Sequence, residues 1–288
     1  MRKYLTAFLM MMMAVMIASA IPAKQQPSFV TIDFPGAIST TPEGINPQGD
    51  IVGFFTGATP GSHGFLRDKH GSFTQIDVPG ATSTAATAIN PRGEIAGFYR
   101  IGTSFHGFLI TDGEITTIDV PGATSTRIWG STASGDLLGY YVIADGTTHG
   151  FVLSDDGFTT IDAPGAVSTF VYGSDDRGEI VGDYTAIDGT THGFVVDKHG
   201  AVMIFDVPGP INPQTGTQAR SNQSSNIVGW FTDASGHTHA FSRSKHGDYT
   251  QIDVPGSLLT NALGDNASGD IVGQYQDVAG NFHGYLLR

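Results

Sequence analysis

Six histidines recur along the chain, and each is followed by Gly or Ala and then by Phe or Tyr. An aspartate in the phrase Asp-x-Pro-Gly also recurs six times, 13 or 14 residues after each of the first five histidines. Imidazole and carboxylate side chains are typical of acid–base catalysis and of metal sites, and a carboxylate also orients a structural imidazole. The spacing defines the pairs His63 with Asp77, His106 with Asp119, His149 with Asp162, His192 with Asp206, and His239 with Asp253. The sixth histidine, His283, is then left with the first aspartate, Asp33.

The spacing within the pairs favours a structural role. The separation is 14 residues where a three-residue loop, 69–71, joins two predicted strands, and 13 residues where Asp112-Gly113 forms a two-residue turn. The separation therefore changes with loop length in the way that keeps His and Asp opposite each other on neighbouring antiparallel strands. Six equivalent braces are what a repeated fold needs, whereas six equivalent catalytic sites are not. We predict structural pairs, with ligand binding by these residues as the alternative.

Three phrases in a fixed order divide the chain into six repeats of about 43 residues, a period typical of propeller blades. The second repeat holds four strand candidates, 84–90, 94–100, 107–111 and 115–120, separated by turn residues. Short strands rich in β-branched and aromatic residues, without a 3.6-residue periodicity, indicate an all-β protein. Four antiparallel strands per repeat are typical of a β-propeller blade. A parallel β-helix, which uses much shorter coils, is the alternative.

The two ends of the repeat region are offset from each other. Residues 29–34 match the fourth strand of a repeat, whereas residues 284–288 match the third strand. The sixth repeat therefore lacks a fourth strand that the N-terminal segment can supply, which removes exposed sheet edges. The sequence predicts a six-bladed β-propeller over residues 28–288, with four antiparallel strands per blade and a ring closed by the N-terminal strand joining the C-terminal blade.

The first 20 residues have the three parts of a secretory signal. Arg2 and Lys3 precede an apolar run over residues 5–17, and Ala18-Ser19-Ala20 supplies a small-x-small cleavage pattern. The alternative is a membrane anchor, but the apolar run is shorter than the ~20 residues that a spanning helix needs. We predict a cleaved signal peptide over 1–20, a linker over 21–27, and export to the periplasm or the medium with no membrane association afterwards.

Composition excludes several classes of function. The chain has no cysteine, which excludes disulfides, thiolate metal sites and a cysteine nucleophile, and its formal net charge of −13 disfavours nucleic acid as a partner. Phosphate-loop, nucleophile-elbow and zinc-protease motifs are missing. We therefore expect neither a cofactor nor a metal ion. Acidic turns such as 265–270 lack the EF-hand pattern and leave a fold-stabilising Ca²⁺ as the alternative.

The positions at which the repeats differ are candidates for a binding site. The stretch before each predicted first strand varies most, and it contains Arg127, Trp129, Tyr172 and Arg220. We predict that these four residues form an aromatic and basic ligand-binding mouth on the face that carries the links between repeats. The alternative is that they fill the channel or pack between blades. A multivalent lectin would need binding aromatics in every repeat, but Trp occurs only at positions 129 and 230.

The repeat phrases resemble those of a known family. The run 44–53, Gly-Ile-Asn-Pro-Gln-Gly-Asp-Ile-Val-Gly, followed by His63-Gly64-Phe65, is similar to the HAF-type extracellular repeats of bacteria, and His239-Ala240-Phe241 matches the phrase that names the family. The resemblance covers nearly all of residues 28–288. It implies an exported repeat protein and brings no assigned activity.

Two classes of function follow. The first is an exported, non-enzymatic binding or interaction module, a monomer whose partner is an extracellular saccharide or protein. The second is a hydrolase or lyase acting on an extracellular saccharide or ester at the channel mouth. It would need acids or bases in only one or two repeats, and Glu43, Asp175 and Asp176 are the candidates.

Overall fold

A computed structural model describes residues 28–209 and 211–288, and the predicted signal peptide and linker lie outside this part of the chain. Every regular element in the described residues is a strand, so the all-β prediction is confirmed. Within the same residues there is no helix long and apolar enough to cross a membrane.

The strands follow one another at short intervals along the chain. They are β1 (Phe29–Ile32), β2 (Ser39–Ile45), β3 (Ile51–Thr56), β4 (Ser62–Arg67), β5 (Phe73–Ile76), β6 (Ser83–Ile89), β7 (Ile95–Ile101), β8 (Ser104–Thr111), β9 (Glu114–Ile118), β10 (Ser125–Ser131), β11 (Leu137–Val142), β12 (Thr148–Ser154), β13 (Gly157–Ile161), β14 (Ala166–Ser174), β15 (Ile180–Ala186), β16 (Thr191–Val196), β17 (Val202–Phe205), β18 (Thr217–Ser221), β19 (Ile227–Thr232), β20 (Thr238–Arg243), β21 (Tyr249–Ile252), β22 (Leu259–Asp265), β23 (Ile271–Gln276) and β24 (Phe282–Leu287).

Antiparallel pairing groups the strands by repeat. β2 to β5 pair in chain order, and the same arrangement recurs from β6, β10, β14 and β18. The last repeat supplies β22, β23 and β24, and β1 pairs antiparallel with β24, with Phe29 opposite Leu287 and Ile32 opposite Gly284. The first strand of each repeat contacts the first strand of the next one, and β22 contacts β2.

The aromatic residue of each histidine phrase anchors the core. Phe65, Phe108, Phe151, Phe194, Phe241 and Tyr285 are all at most 1% exposed. Burial of a side chain of this size stabilises a fold by roughly 1.5–3 kcal/mol. Each aromatic ring lies in an apolar cluster with residues of its own repeat, and most clusters also include a neighbouring repeat, as Phe108 does with Val52. The recurring aromatic therefore holds consecutive sheets together.

The recurring glycine on the second strand is required by a close approach of two strands. A Cβ atom at Gly53 would lie 2.1 Å from the carbonyl oxygen of Thr41 and 2.8 Å from the Phe65 ring. The turn glycines have a different cause, because Gly49 has a φ of +89°, which L side chains rarely adopt. The recurring glycine, which ends the run Ile51-Val52-Gly53 in the first repeat, is thus a packing requirement between the first three strands.

A threonine hydroxyl fixes each link between repeats. In the link before β6, the backbone N–H of Val78 donates to Thr84 Oγ1 at 3.1 Å, and both residues are buried. The equivalent bonds run from Phe34 to Thr40, Val120 to Thr126, Ala163 to Thr169, Val207 to Thr217, and Val254 to Thr260. This bond places the start of every first strand directly beside the aspartate of the preceding repeat.

Candidate functional site

The structure brings the histidine and aspartate of each predicted pair together. His Nδ1 and an Asp carboxylate oxygen are 2.8 Å apart in the pairs of His63 and His106, 2.9 Å in those of His192 and His283, 3.0 Å in that of His149 and 3.1 Å in that of His239. The histidine lies on the third strand and the aspartate follows the fourth. Both side chains are partly exposed, and the pairs lie at the end of the strands next to the links.

The second imidazole nitrogen is also engaged in several repeats. His149 Nε2 is 3.1 Å from Thr147 Oγ1, and the Thr147 hydroxyl donates to Asp145 at 2.7 Å. The arrangement of Thr147, His149 and Asp162 has the order of a nucleophile, a base and an orienting acid. Because the Thr147 hydroxyl donates to Asp145, its proton is not directed at Nε2 of His149. In this arrangement the hydroxyl proton is directed at a carboxylate and not at the imidazole, unlike the arrangement of a catalytic triad.

Burial and two aspartates act in opposite directions on the pKa of His283. Burial lowers it, but the hydrogen bonds and charges of Asp33 and Asp277 outweigh burial and raise the pKa of His283 above its ordinary 6.5. Its Nδ1 is 2.9 Å from Asp33 and its Nε2 is 3.4 Å from Asp277. In residues 28–209 and 211–288, no three His, Asp or Glu side chains, these three included, are placed to share a metal ion.

The four predicted binding residues lie within first strands, which corrects their placement in the links. Arg127 and Trp129 belong to β10, Tyr172 to β14 and Arg220 to β18. These strands begin within the link phrase itself, as β10 does at Ser125 and β14 at Ala166. Their residues therefore face the centre of the strand arrangement instead of projecting from loops.

A β-bulge at the same place in every first strand explains why these residues diverge. The pairing of first and second strands shifts by one residue between, for example, Ile128 and Gly130 and between Ala219 and Ser221. A bulge leaves one extra residue unpaired and re-aims its side chain. The six inserted residues are Glu43, Thr87, Trp129, Tyr172, Arg220 and Leu263.

All six bulge residues line one central pocket, with a cavity volume of about 60 Å³. The other lining residues come from the ends of the first strands and the turns that follow them, including Pro47, Pro91, Ala133 and Ala267. The central pocket therefore extends towards the face of the first turns. This corrects the prediction of a mouth on the link face, which lies at the opposite end of the first strands.

Arg220 is the charged centre of this pocket. Its side chain is 9% exposed, and its guanidinium lies 3.9 Å from the centroid of the Tyr172 ring and 4.6 Å from that of Trp129. Both distances are in the range of cation–π contacts. Its carboxylate partner is Glu43, which is 6% exposed and whose Oε2 lies 3.4 Å from Arg220 Nη2.

Burial dominates the electrostatics of the carboxyl groups beside Arg220. It raises the pKa of Glu43 from 4.5 to about 7, against the opposing effect of Arg220. Burial likewise raises the pKa of Asp183 from 3.8 to about 7, again against Arg220. Both groups can therefore gain or lose a proton near neutral pH.

Asp183 was missed by the sequence analysis. It follows the recurring Gly182 on β15 and pairs with Phe170 in register. A signal was available, because the other repeats carry uncharged residues at this position: Phe54, Phe98, Tyr140, Trp230 and Gln274.

Arg127 belongs to a different layer from the other three predicted residues. Its guanidinium lies 3.7 Å from the centroid of the Phe105 ring, and its Nη1 donates to the Tyr140 hydroxyl at 2.6 Å. It does not line the central pocket. The structure thus brings Trp129, Tyr172 and Arg220 together and leaves Arg127 one layer nearer the links.

Three polar atoms at the pocket are buried without a hydrogen-bond partner among the described residues. They are Trp129 Nε1, Ser131 Oγ and Arg220 Nε. Native proteins satisfy nearly all buried polar groups, since an unpaired one costs roughly 1–3 kcal/mol. A cluster of unpaired donors at one pocket is typical of a site that is completed by a ligand.

The predicted catalytic acids separate in space. Glu43 lines the central pocket, whereas Asp175 lies in the turn after β14, where it accepts a bond from Arg177 Nε at 2.7 Å. Asp176 is exposed in the same turn. The two aspartates do not line the pocket with Glu43.

No protein-family model matches the sequence, and a search of curated proteins finds no significant match. Solved structures do resemble the fold. The lectin of Aleuria aurantia in complex with Fucα1-6GlcNAc has a TM-score of 0.56 at 12% identity, covering 89% of this chain and 93% of the lectin. AofleA of Arthrobotrys oligospora has a TM-score of 0.57 at 12% identity, covering 91% and 86%.

An enzyme shares the same architecture. A catalytically inactive virginiamycin B lyase of Staphylococcus aureus, crystallised with quinupristin, has a TM-score of 0.52 at 14% identity, covering 90% of this chain and 88% of the lyase. At such identities the likeness concerns the fold alone. The Aleuria lectin is described as a six-bladed β-propeller, and this chain has the β-propeller fold.

Proposed function

We propose that this protein is an exported binding module of the HAF-repeat kind, a six-bladed β-propeller that takes a small polar group of its ligand into the central pocket. The observation that carries the proposal is the ring of bulge residues. The repeats keep their core aromatic, glycine and His–Asp pair, but they place six different side chains at the bulge, around Arg220.

Ring closure is supported by the strand contacts. β1 supplies the fourth strand of the last repeat by pairing with β24, and β22 contacts β2 as any first strand contacts its neighbour. A closed ring holds the six bulges at fixed positions around one axis. The His–Asp pairs are proposed as braces of the outer strands, so the scaffold needs neither metal nor cofactor.

The alternative that the bulge residues merely plug the channel meets a physical difficulty. A plug selected for stability would satisfy or replace its polar atoms, whereas Trp129 Nε1, Ser131 Oγ and Arg220 Nε remain unpaired. Binding sites commonly keep groups that lower the stability of the fold. An extracellular saccharide or an exposed protein segment is the ligand class that we propose for an exported module, and the Aleuria lectin illustrates saccharide binding on this fold.

One observation favours the enzymatic alternative. A carboxyl group with a pKa of about 7, such as that of Glu43, is suited to general acid–base catalysis near neutral pH. A lyase or hydrolase would also need a second catalytic group at the central pocket. Asp265 lines the pocket, but its carboxylate accepts hydrogen bonds from Ser221 Oγ and from the backbone of Gln223 and Ser224. Turnover of a bound ligand that stops in Glu43→Gln, while the ligand still binds, would favour the enzyme over the binding module.

The proposal is tested by ligand titration of the exported protein. Trp230→Phe leaves Trp129 as the only tryptophan, so its fluorescence reports on the central pocket. Neutral saccharides, acidic saccharides and short peptides are titrated into this variant. We expect at least one class to change Trp129 emission and to bind much more weakly after Arg220→Met. Arg100→Met, an exposed arginine away from the pocket, is the control. A ligand that binds both arginine variants equally well would place the site elsewhere.

A further inference from the structure

We infer that the central pocket binds a small oxyanion, a carboxylate or phosphate group, through Arg220, the indole N–H of Trp129 and the hydroxyl of Ser131. The inference rests on the proposed binding function and names the chemical group that the pocket takes. The shared chemistry is a planar or tetrahedral set of acceptor oxygens with negative charge. Two ligands could supply such a group, an acidic saccharide and free phosphate, and the calorimetric titration distinguishes between them.

The unpaired atoms of the residues that line the pocket are all able to donate, whereas the unpaired Oδ1 of Asp183, a group that acts on Arg220, belongs to a residue outside the lining. Arg220 Nε and Trp129 Nε1 carry N–H groups that can only donate, and Ser131 Oγ carries an O–H. None of the three has a partner in the described residues. A ligand that completes this pocket therefore has to bring acceptors, and an oxyanion offers several within a small volume.

The guanidinium of Arg220 has only a long contact with its carboxylate partner. Its Nη2 approaches Glu43 at 3.4 Å, a long contact compared with the 2.7–2.9 Å of a charge-assisted hydrogen bond. Trp129 and Tyr172 pack against the guanidinium, so its in-plane N–H groups are the ones that can donate to a ligand. A guanidinium fork matches carboxylate and phosphate oxygens in geometry. The cation is therefore available to an anion when Glu43 and Asp183 are protonated.

The volume limits what can enter. A cavity of about 60 Å³ holds only a few water-sized groups, so it accommodates one charged group and not a whole sugar ring. The rest of a larger ligand would lie over the turns that contain Pro47, Pro91 and Ala133. The pocket thus recognises the charged end of a ligand or a free small anion.

The titratable groups around Arg220 make this binding dependent on pH. Glu43 on β2, Tyr140 on β11, Tyr172 on β14 and Asp183 on β15 act on its charge. Asp265 on β22 lines the same pocket. Asp265 is engaged by Ser221 Oγ at 2.6 Å and by the backbone N–H groups of Gln223 and Ser224. A bound anion repels the charged forms of Glu43 and Asp183, so we expect one or both to take up a proton on binding. Affinity should fall as the pH rises through about 7.

Calorimetric titration with galacturonate, inorganic phosphate and the neutral sugar galactose tests the inference. We expect galacturonate, phosphate or both to bind at about pH 6, with affinity weaker by about tenfold at about pH 8, and galactose not to bind. Competition between the two anions shows whether they share one site. Ser131→Ala and Trp129→Phe each remove one unpaired donor and should weaken binding by up to about tenfold.

The same variants separate binding from folding. Because the Ser131 hydroxyl has no partner, Ser131→Ala should leave the melting temperature unchanged or raise it, with Ser104→Ala, outside the pocket, as the matched control. Glu43→Gln should retain binding and reduce its pH dependence. If galactose binds as well as galacturonate and loses affinity in Arg220→Met, the oxyanion inference is wrong while the proposed function stands. If neither anion binds, or if Ser131→Ala and Trp129→Phe both bind with unchanged affinity, the inference is overturned.

Discussion

Arg220 Nη2 lies 3.4 Å from Glu43 Oε2, although the two residues are 177 positions apart and belong to the fifth and first repeats. The contact crosses the central pocket, and both side chains are buried there by β-bulges in equivalent strands. Burial destabilises the charged form of Glu43 by more than Arg220 stabilises it, so the pKa of Glu43 rises to about 7. The pair is therefore a source of pH sensitivity and not a stabilising salt bridge.

Glu43→Gln should stabilise the protein at alkaline pH. The folded-state pKa of Glu43 lies above its unfolded value of 4.5, so the unfolded chain loses this proton first and stability declines as the pH rises from 4.5 to about 7. We expect a gain on the order of 1–3 kcal/mol at about pH 8 and little change at about pH 4.5. Urea denaturation at both pH values measures it, with the exposed Glu114→Gln as control. A loss of stability at about pH 8 would show that Arg220 compensates Glu43 fully.

His283→Asn should have the opposite pH dependence. The raised pKa of His283 means that its pairing with Asp33 and Asp277 stabilises the fold fully below about pH 6.5, and that this contribution is lost as the pH rises through the folded value. Partial exposure keeps the effect small. The variant should therefore lose more stability at about pH 5.5 than at about pH 8. His246→Asn, in an exposed turn, is the control and should show no such difference. If His283→Asn loses the same stability at both pH values, the charged pair is not the cause.

The position of the His–Asp pairs could be inferred from the sequence because antiparallel strands convert loop length into register. The loops 69–71 and Asp112-Gly113 differ by one residue, and the separation of His and Asp differs by one residue with them. The strand order follows in the same way from turn residues. This inference depends on loop length within one repeat and not on how the repeats pack together.

The bulges could not be inferred in this way. An extra residue breaks the alternation of side chains that marks a strand. The sequence pattern therefore places Arg127-Ile128-Trp129 at the end of a link, whereas the structure places these residues in β10. The difference between repeats pointed to Trp129, Tyr172 and Arg220, but the contact of Arg220 with Glu43 depends on the position of one repeat relative to another. Asp183 is marked in the sequence as the charged residue at its position in the repeats, but the burial that raises its pKa depends on how the repeats pack.

Gly139→Ala should be severely destabilising even though it adds a single methyl group. A Cβ atom there would lie 2.0 Å from the backbone oxygen of Arg127, which β10 cannot move without losing its pairing. We expect a loss of about 3 kcal/mol or more, measured by chemical denaturation. Gly57→Ala is the matched control, because its nearest atom, Phe55 Cε2, is 3.9 Å away. Similar melting temperatures for the two variants would contradict a close approach of β10 and β11.

Removal of β1 should open the ring. A chain that begins at residue 34 lacks the strand that pairs with β24 and also lacks Asp33, the partner of His283. It loses two core contributions as well, because Ile32 packs with Phe65 and Phe29 packs against Tyr285. The backbone groups of β24 would then form an exposed edge, which promotes pairing between chains. We expect a lower melting temperature and concentration-dependent association by light scattering, relative to a chain that begins at residue 28. Equal stability and solubility of the two chains would show that β1 is dispensable and that the ring does not depend on this closure.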